Sequence, residues 1–432
     1  MFAWGPLPGE LARIRIVEAK KSYAVGEPFE MLETSPDRVT PFCAVFGTCG
    51  GCQLQHLSYE AQLRWKSRVV RDALTRIGGF ENVRVAPAIG TASPRAYRNK
   101  MALVVRRDNS AVEFGFYQMR SHDFVPIAGC PVVLPQLDDE IAALRQAAND
   151  PELAGAFEGV LHAVARAGSA TGESVLTLTT AEASPALHRA APALARRLRG
   201  LVGIANSFAP RSANAIMGSR HRDLWGVSEM EERIGDLRYR VSAASFFQIN
   251  TEIVARIFAE LERLPHPKSL VDVYCGAGTF SIWFAAHGTK VVGVEDNPAA
   301  IREAQANAAL NGVAERTQFA AGRAEIVIAR APVRDALRTA DAVFLDPPRK
   351  GCEPRTLDAI ARARVPAVWY LSCNPATLAR DLARLRGAGY GLESVQPYDM
   401  FPQTGHVETL ATMRRRAEPE GGSEMDHARP GS

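Results

Sequence analysis

The chain has 432 residues, 47% of them hydrophobic and 23% charged, with a formal net charge of +4 and a pI near 8.7. That length excludes a single small module, and at ~100–200 residues per domain about two to four domains are expected. No run of 18 apolar residues and no basic-then-apolar leader occurs, so neither a membrane span nor a signal peptide is expected and a cytoplasmic location is the default. The small positive charge permits a nucleic-acid partner without requiring one.

Residues 1–40 open on a Gly/Pro-rich entry, Gly5-Pro6-Leu7-Pro8-Gly9-Glu10, followed by the alternation Ala12-Arg13-Ile14-Arg15-Ile16-Val17. This predicts part of a small β-barrel, with room for about two or three strands, too few to stand alone, so the segment must dock elsewhere or lack its beginning. Met1-Phe2-Ala3-Trp4 reads like the middle of a strand, which places the expected start codon upstream of Met1.

Residues 41–56 form a cysteine loop. Cys43-x5-Cys49-x2-Cys52, with Cys130 a further 77 residues on, offers four thiolates, and three cysteines so close together are too many for core packing. Cytosolic thiols stay reduced, so metal binding is expected rather than disulfides. The residues alone allow tetrahedral zinc or an iron–sulfur cluster, with zinc slightly favoured.

Residues 57–77 carry Leu57, Leu63, Val69, Val70, Leu74 and Ile77 at helical spacing and predict an amphipathic helix. Segments 96–133 and 157–247 alternate β-rich runs with helices around 136–149 and 185–199, an α+β domain over 41–247. Within it Arg95, Arg98, Lys100, Arg106 and Arg107 flank Tyr97 and precede Phe114, Phe116 and Tyr117. Cations among ring faces suit phosphate contacts and stacking of unpaired bases. A solvated edge strand would look the same.

From 248 the pattern becomes strand, Gly-rich turn, helix, with strands expected at 269–274, 290–295, 316–320, 341–346, 367–372 and 408–413. Such alternation predicts a parallel, doubly wound sheet over 248–413. After Tyr274, Gly276 and Gly278 allow a tight turn against a ligand, and Glu295 stands where a carboxylate accepts from ribose hydroxyls. Ser281 replaces the third glycine of a dinucleotide fingerprint, which favours S-adenosylmethionine over a nicotinamide or flavin. Asp346 ends an apolar run before Pro347-Pro348, and Cys373 stands likewise before Asn374-Pro375, so two strand ends deliver polar groups to one mouth. A methyl-donor pocket beside a nucleophilic cysteine suits carbon methylation of a pyrimidine, because an unreactive ring carbon becomes nucleophilic only after a thiolate has added to its neighbour. Cys373 would need a positive or helix-N-terminal setting to ionise near neutral pH, and a buried structural thiol is the plainer alternative. Glu408, with His406 as competitor, is the candidate base for the proton on the methylated carbon. Cys275 and Cys352 are read as structural, and the tail 414–432, polar and Gly-rich, is expected to be disordered.

Together Leu371-Ser372-Cys373-Asn374-Pro375-Ala376-Thr377, Asp346-Pro347-Pro348-Arg349, Phe246-Phe247-Gln248-Ile249-Asn250 and Thr404-Gly405-His406-Val407-Glu408 resemble the RNA uracil-5-methyltransferases that act on bacterial 23S rRNA and on tRNA, over about residues 6–413. The resemblance implies a class I (Rossmann-like) methyltransferase domain behind the α+β central domain and a partial TRAM-like N-terminal barrel. It implies that Cys373 adds to uracil C6, that C5 takes the methyl group of S-adenosylmethionine, and that Glu408 removes the C5 proton. Gln248, Tyr274, Thr279 and Glu295 would contact the donor, with Asp346 between donor and base. A relative's Asn or Asp near Gly322 has no counterpart here. Cys49-Gly50-Gly51-Cys52-Gln53 resembles the [4Fe–4S] branch, which moves the expectation for Cys43, Cys49, Cys52 and Cys130 from zinc to a cluster of structural or RNA-contacting role. A radical enzyme would show Cys-x3-Cys-x2-Cys instead. The expected partner is 23S rRNA before tRNA, met as a flipped base in a single-stranded loop by a monomeric enzyme. Two rivals are a non-catalytic RNA-binding metalloprotein and an amino-methyltransferase, whose Asp-Pro-Pro-aromatic motif is contradicted by Arg349.

Overall fold

The computed structural model describes residues 2–108, 111–210, 215–218, 220–243 and 245–417, so most of the expected disordered tail lies outside the described residues. Three short strands, Phe2–Ala3, Leu11–Ala19 and Ala24–Glu33, form an N-terminal sheet. The sheet docks on the rest of the chain, as its small size requires: Leu7 is buried with Leu57 and Ala61, and Arg38 Nε donates to the Glu10 carboxylate at 2.5 Å. The Arg38 guanidinium holds the Glu10 carboxyl down at about 2.

The expected helix forms over Tyr59–Arg76. Beyond it a seven-stranded sheet runs in the order Arg220–Gly226, Leu201–Phe208, Ser174–Thr180, Val160–Ala167, Lys100–Asp108, Ala111–Tyr117 and Phe124–Pro126. Helices Pro135–Ala148 and Pro185–Ala195 supply Leu137, Ile141, Leu144 and Leu187 to a core shared with Leu103, Phe114 and Leu176. Both helices open on a proline in the first turn, where the missing N–H costs nothing. A separate ribbon, Glu229–Ile234 with Leu237–Ser242, sends Met230, Tyr239 and Val241 into the next core along, with Phe280, Phe284 and Trp369.

That next core belongs to the catalytic sheet. Its strands are β1 (Ser269–Val273), β2 (Lys290–Glu295), β3 (Thr317–Ala321), β4 (Ala342–Leu345), β5 (Ala367–Ser372), β6 (Tyr390–Tyr398) and β7 (Glu408–Arg415). They are ordered β3-β2-β1-β4-β5-β7-β6, parallel except that β7 runs antiparallel to both neighbours. The doubly wound sheet is the one expected, since β4 is a continuous Ala/Val/Phe/Leu run and β1 and β5 are mostly apolar, with every residue of the three strands buried except the half-buried Ser269. Strand β6 was not expected. Tyr390-Gly391-Leu392-Glu393-Ser394-Val395-Gln396-Pro397 shows no alternation because a bulge between Leu392 and Ser394 resets its faces, and an edge strand tolerates both Gly and Pro.

The central and catalytic sheets are tied at residues 97–100. Asn99, fully buried, donates from its backbone N–H to Ile249 O and from Nδ2 to Gln248 O, both at 3.0 Å. Arg166 Nη2 adds a bond to Ser245 O at 3.0 Å. Replacing Asn99 by Ala strands the buried Gln248 carbonyl, so urea unfolding should show a loss of about 1–3 kcal/mol. A loss within error of zero would mean that this junction carries no load.

Candidate active site

The strand ends of the catalytic sheet open into a cavity of about 850 Å³. On one side Tyr274, at φ +72°, turns the chain out of β1, and Gly276 and Gly278 continue the turn at φ +55° and +86°. Gly278 has to lack a side chain twice over, because a Cβ there would also crowd Ala304 at 3.2 Å. Thr279 begins the following helix, Thr279–Ala286, and its carbonyl accepts from the Tyr239 hydroxyl at 3.0 Å. Glu295, at the end of β2, accepts from Gly276 N (3.1 Å) and Asn297 N (2.9 Å), which fixes its carboxylate at the rim. The Gly322 N–H is already committed to Glu295 O at 2.8 Å, so only its carbonyl remains for a ligand. Gln248, Tyr274, Thr279, Glu295 and Asp346 all line this one cavity.

Cys373 and Glu408 line it too. Gln248 Nε2 reaches Asp346 Oδ2 at only 3.4 Å, and Glu408 Oε1 is buried without a hydrogen-bond partner among the described residues. Burial pushes the Asp346 carboxyl up to about 8, and burial with the adjacent Asp346 charge raises Glu408 well above the carboxylate range. The Cys373 thiol is pushed up to about 11, chiefly by burial and then by Glu408 and Asp346, with Arg349 pulling the other way. Asn374 caps the helix Pro375–Gly387 directly after Cys373, so a helix end does lie beside the thiol, but burial is the largest influence on it.

His406 is a poor rival base. Burial, then the Arg349, Lys66 and Arg98 charges, lower it to about 4, and Arg349 Nη2 donates to its Nδ1 at 2.7 Å.

Residues 227–416 match the family model described as tRNA (Uracil-5-)-methyltransferase. An uncharacterised RNA methyltransferase of Halalkalibacterium halodurans is 40% identical over 422 residues, 96% of this chain and 92% of its own. The chain belongs to the RNA (uracil-5-)-methyltransferase family. A Thermosynechococcus vestitus RNA methyltransferase is 38% identical over 428 residues, again 96% of this chain and 92% of its own. The solved Pyrococcus abyssi tRNA (uracil-54, C5)-methyltransferase, in complex with S-adenosyl-L-homocysteine, superposes with a TM-score of 0.75 at 27% identity, covering 95% of each chain. Family membership makes the protein an S-adenosylmethionine-dependent RNA (uracil-5-)-methyltransferase.

The methyltransferase presents less of the expected cation-and-ring stretch than its sequence suggests. Tyr97 and Phe114 are buried, and the Tyr97 hydroxyl donates to Pro402 O at 3.0 Å, so neither ring is open to a base. Arg106 lies over Phe124, Arg95 over Phe42, and burial with the Arg166 and Arg98 charges lowers Lys100 to about 8. Of the Phe and Tyr rings that line the cavity, Phe246 is the exposed one, at 74%. An exposed Phe directly before a buried Phe-Gln pair was the available signal. Gly50, Gly51 and Gln53 of the cysteine loop also reach the cavity wall, which spacing alone does not reveal.

Cys43, Cys49, Cys52 and Cys130 are all free and half-buried. Cys52 is pushed up to about 12 by burial, with the charges of Cys130, Cys49 and Cys43 adding, so the four thiols face a common region. Among the described residues, however, no group of three or more His, Cys, Asp or Glu side chains is drawn together closely enough to hold a metal ion.

Asp346 binds its proton far more tightly folded than unfolded. Between about 4 and about 8 the folded state holds a proton that the unfolded chain has released, so this group lowers stability as pH rises through that window. Asp346→Asn should therefore raise the melting temperature, by more at pH 8 than at pH 5. Equal shifts at both pH values would show that Asp346 is not the buried acid described.

Proposed function

We propose that this enzyme methylates C5 of a uridine in 23S rRNA through a covalent bond between Cys373 and uracil C6. The observation that carries the reading is the convergence of Cys373, Asp346 and Glu408 on the cavity that also holds Gln248, Tyr274 and Glu295. Cys373 gives its proton to solvent and its sulfur bonds C6, sending electron density to C5 and O4. S-adenosylmethionine supplies the methyl group that C5 takes up. Glu408, ionised, accepts the C5 proton, and the electron pair left behind re-forms the C5–C6 double bond as the C6–S bond breaks and Cys373 departs as thiolate. Burial suits Glu408 to this step, because a desolvated carboxylate is a stronger base than one in water. Asp346 stands beside it, orienting base and donor, and Phe246 offers an open ring face for the unstacked nucleotide.

The tRNA reading is the alternative, favoured by the description of the matched family model and by the Pyrococcus relative. The 23S rRNA reading rests on the cysteine set, which resembles the cluster-bearing branch. In that reading Cys43, Cys49, Cys52 and Cys130 draw together around a [4Fe–4S] cluster, with zinc as the competing occupant, and no step of methyl transfer passes through it. Among the described residues no helix is long and apolar enough to cross a membrane, and action on RNA in the cytoplasm fits that.

Isotopically labelled S-adenosylmethionine given with undermodified 23S rRNA and tRNA should place label in 5-methyluridine of the rRNA, read by nucleoside mass spectrometry. Cys373→Ala should abolish it, and Glu408→Gln should accumulate an enzyme–RNA adduct on denaturing gels, the loss of a general base costing ~10²–10⁴-fold. Label in any other nucleoside would defeat the Cys373 mechanism. Anaerobically purified protein should contain iron and acid-labile sulfide in equal amounts, both lost in Cys52→Ser. Zinc without sulfide would assign the site to zinc.

A further inference from the structure

The segment between β6 and β7, residues 399–407, carries His406 and leads directly into Glu408, yet it is held almost entirely from outside the catalytic sheet. Helix Tyr59–Arg76 presents Gln62 and Lys66, one turn apart, to this segment. Lys66 and Asp399 form an ion pair in which both side chains are wholly buried, and Lys66 Nζ also donates to Phe401 O at 3.1 Å. Gln62 Nε2 donates to Gln403 Oε1 at 3.0 Å, and Gln62 Oε1 accepts from Gln403 N at 3.1 Å. Gln403 needs that grip, because it sits at φ +67°, a left-handed conformation that costs a non-glycine residue energy. Its carbonyl accepts from Gln53 N and Leu54 N, both at 2.9 Å.

A buried ion pair is a poor way to gain stability, since desolvation offsets most of the attraction and an apolar pair of the same volume often does as well. Its directional bonds are better suited to fixing one backbone geometry. Glu408 depends on such fixing, because Glu408 Oε1 has no hydrogen-bond partner of its own among the described residues.

We propose that Lys66, seconded by Gln62, is a positioning residue for proton abstraction. It sets the 399–407 segment, and through it the Glu408 carboxyl, at the depth where the C5 proton is reached. The proposal rests on the assignment of Glu408 as base. Lys66 does not line the cavity, so its loss falls on one step: methyl transfer into the adduct continues while resolution of the adduct slows.

The test compares the parent enzyme with Lys66→Met and with Gln62→Met in single-turnover reactions. RNA affinity, label incorporated into RNA, and the lifetime of the denaturation-resistant enzyme–RNA adduct are each measured, with melting curves run in parallel. The expected result is unchanged affinity and an adduct lifetime lengthened on the order of 10–100-fold, the scale of a misplaced catalytic group. Gln62→Met removes no charge and carries the same test if Lys66→Met does not fold. Parent-like adduct lifetimes in folded variants overturn the positioning role, as does a parallel fall in RNA binding and adduct formation. If the parent itself forms no adduct, it is the covalent reading that fails.

Discussion

Desolvation of three proton-bearing groups in one cavity governs this molecule. Asp346, Cys373 and Glu408 share a space in which the best donor is a Gln248 amide at 3.4 Å, and all three are pushed toward their neutral forms. A strong salt bridge to either carboxyl would stabilise its charge and weaken it as a base. Arg349, the cation that pulls the Cys373 thiol down, is turned toward His406.

The sheet topology makes that convergence possible. Parallel strands β4 and β5 deliver Asp346 and Cys373 at their carboxyl ends, the edge where open α/β sheets bind ligands. A residue at the start of a parallel strand would lie at the opposite edge. Because β7 runs antiparallel, with Thr409 paired to Ser372, its first residue Glu408 comes to the same edge as Cys373. One reversed strand therefore brings Glu408 beside Cys373.

The same inversion leaves the β6–β7 connection crossing the mouth, where the catalytic sheet offers it little support. Segments 53–54, 62–66 and 97, all from the first quarter of the chain, supply the missing hydrogen bonds. The cysteine loop and the first helix accordingly support one wall of the cavity.

Periodicity and strand-end motifs determined the doubly wound sheet, the first helix and the candidate groups Cys373, Asp346, Glu408 and Glu295, because each of those signals is local, an apolar run and then a turn, whereas Gln248, Tyr274 and Thr279 were expected as donor contacts only from the family resemblance. Strand β6 was hidden by its bulge, and the burial of Tyr97 and Phe114 by the fact that an arginine-flanked ring reads alike in a core and on a surface. Only the tertiary structure decided which groups share a cavity, that burial pushes the Cys373 thiol up, and that Lys66, an ordinary helix lysine by sequence, is wholly buried against Asp399. Such properties depend on what lies across space from a side chain, and those two partners stand 333 positions apart in the chain.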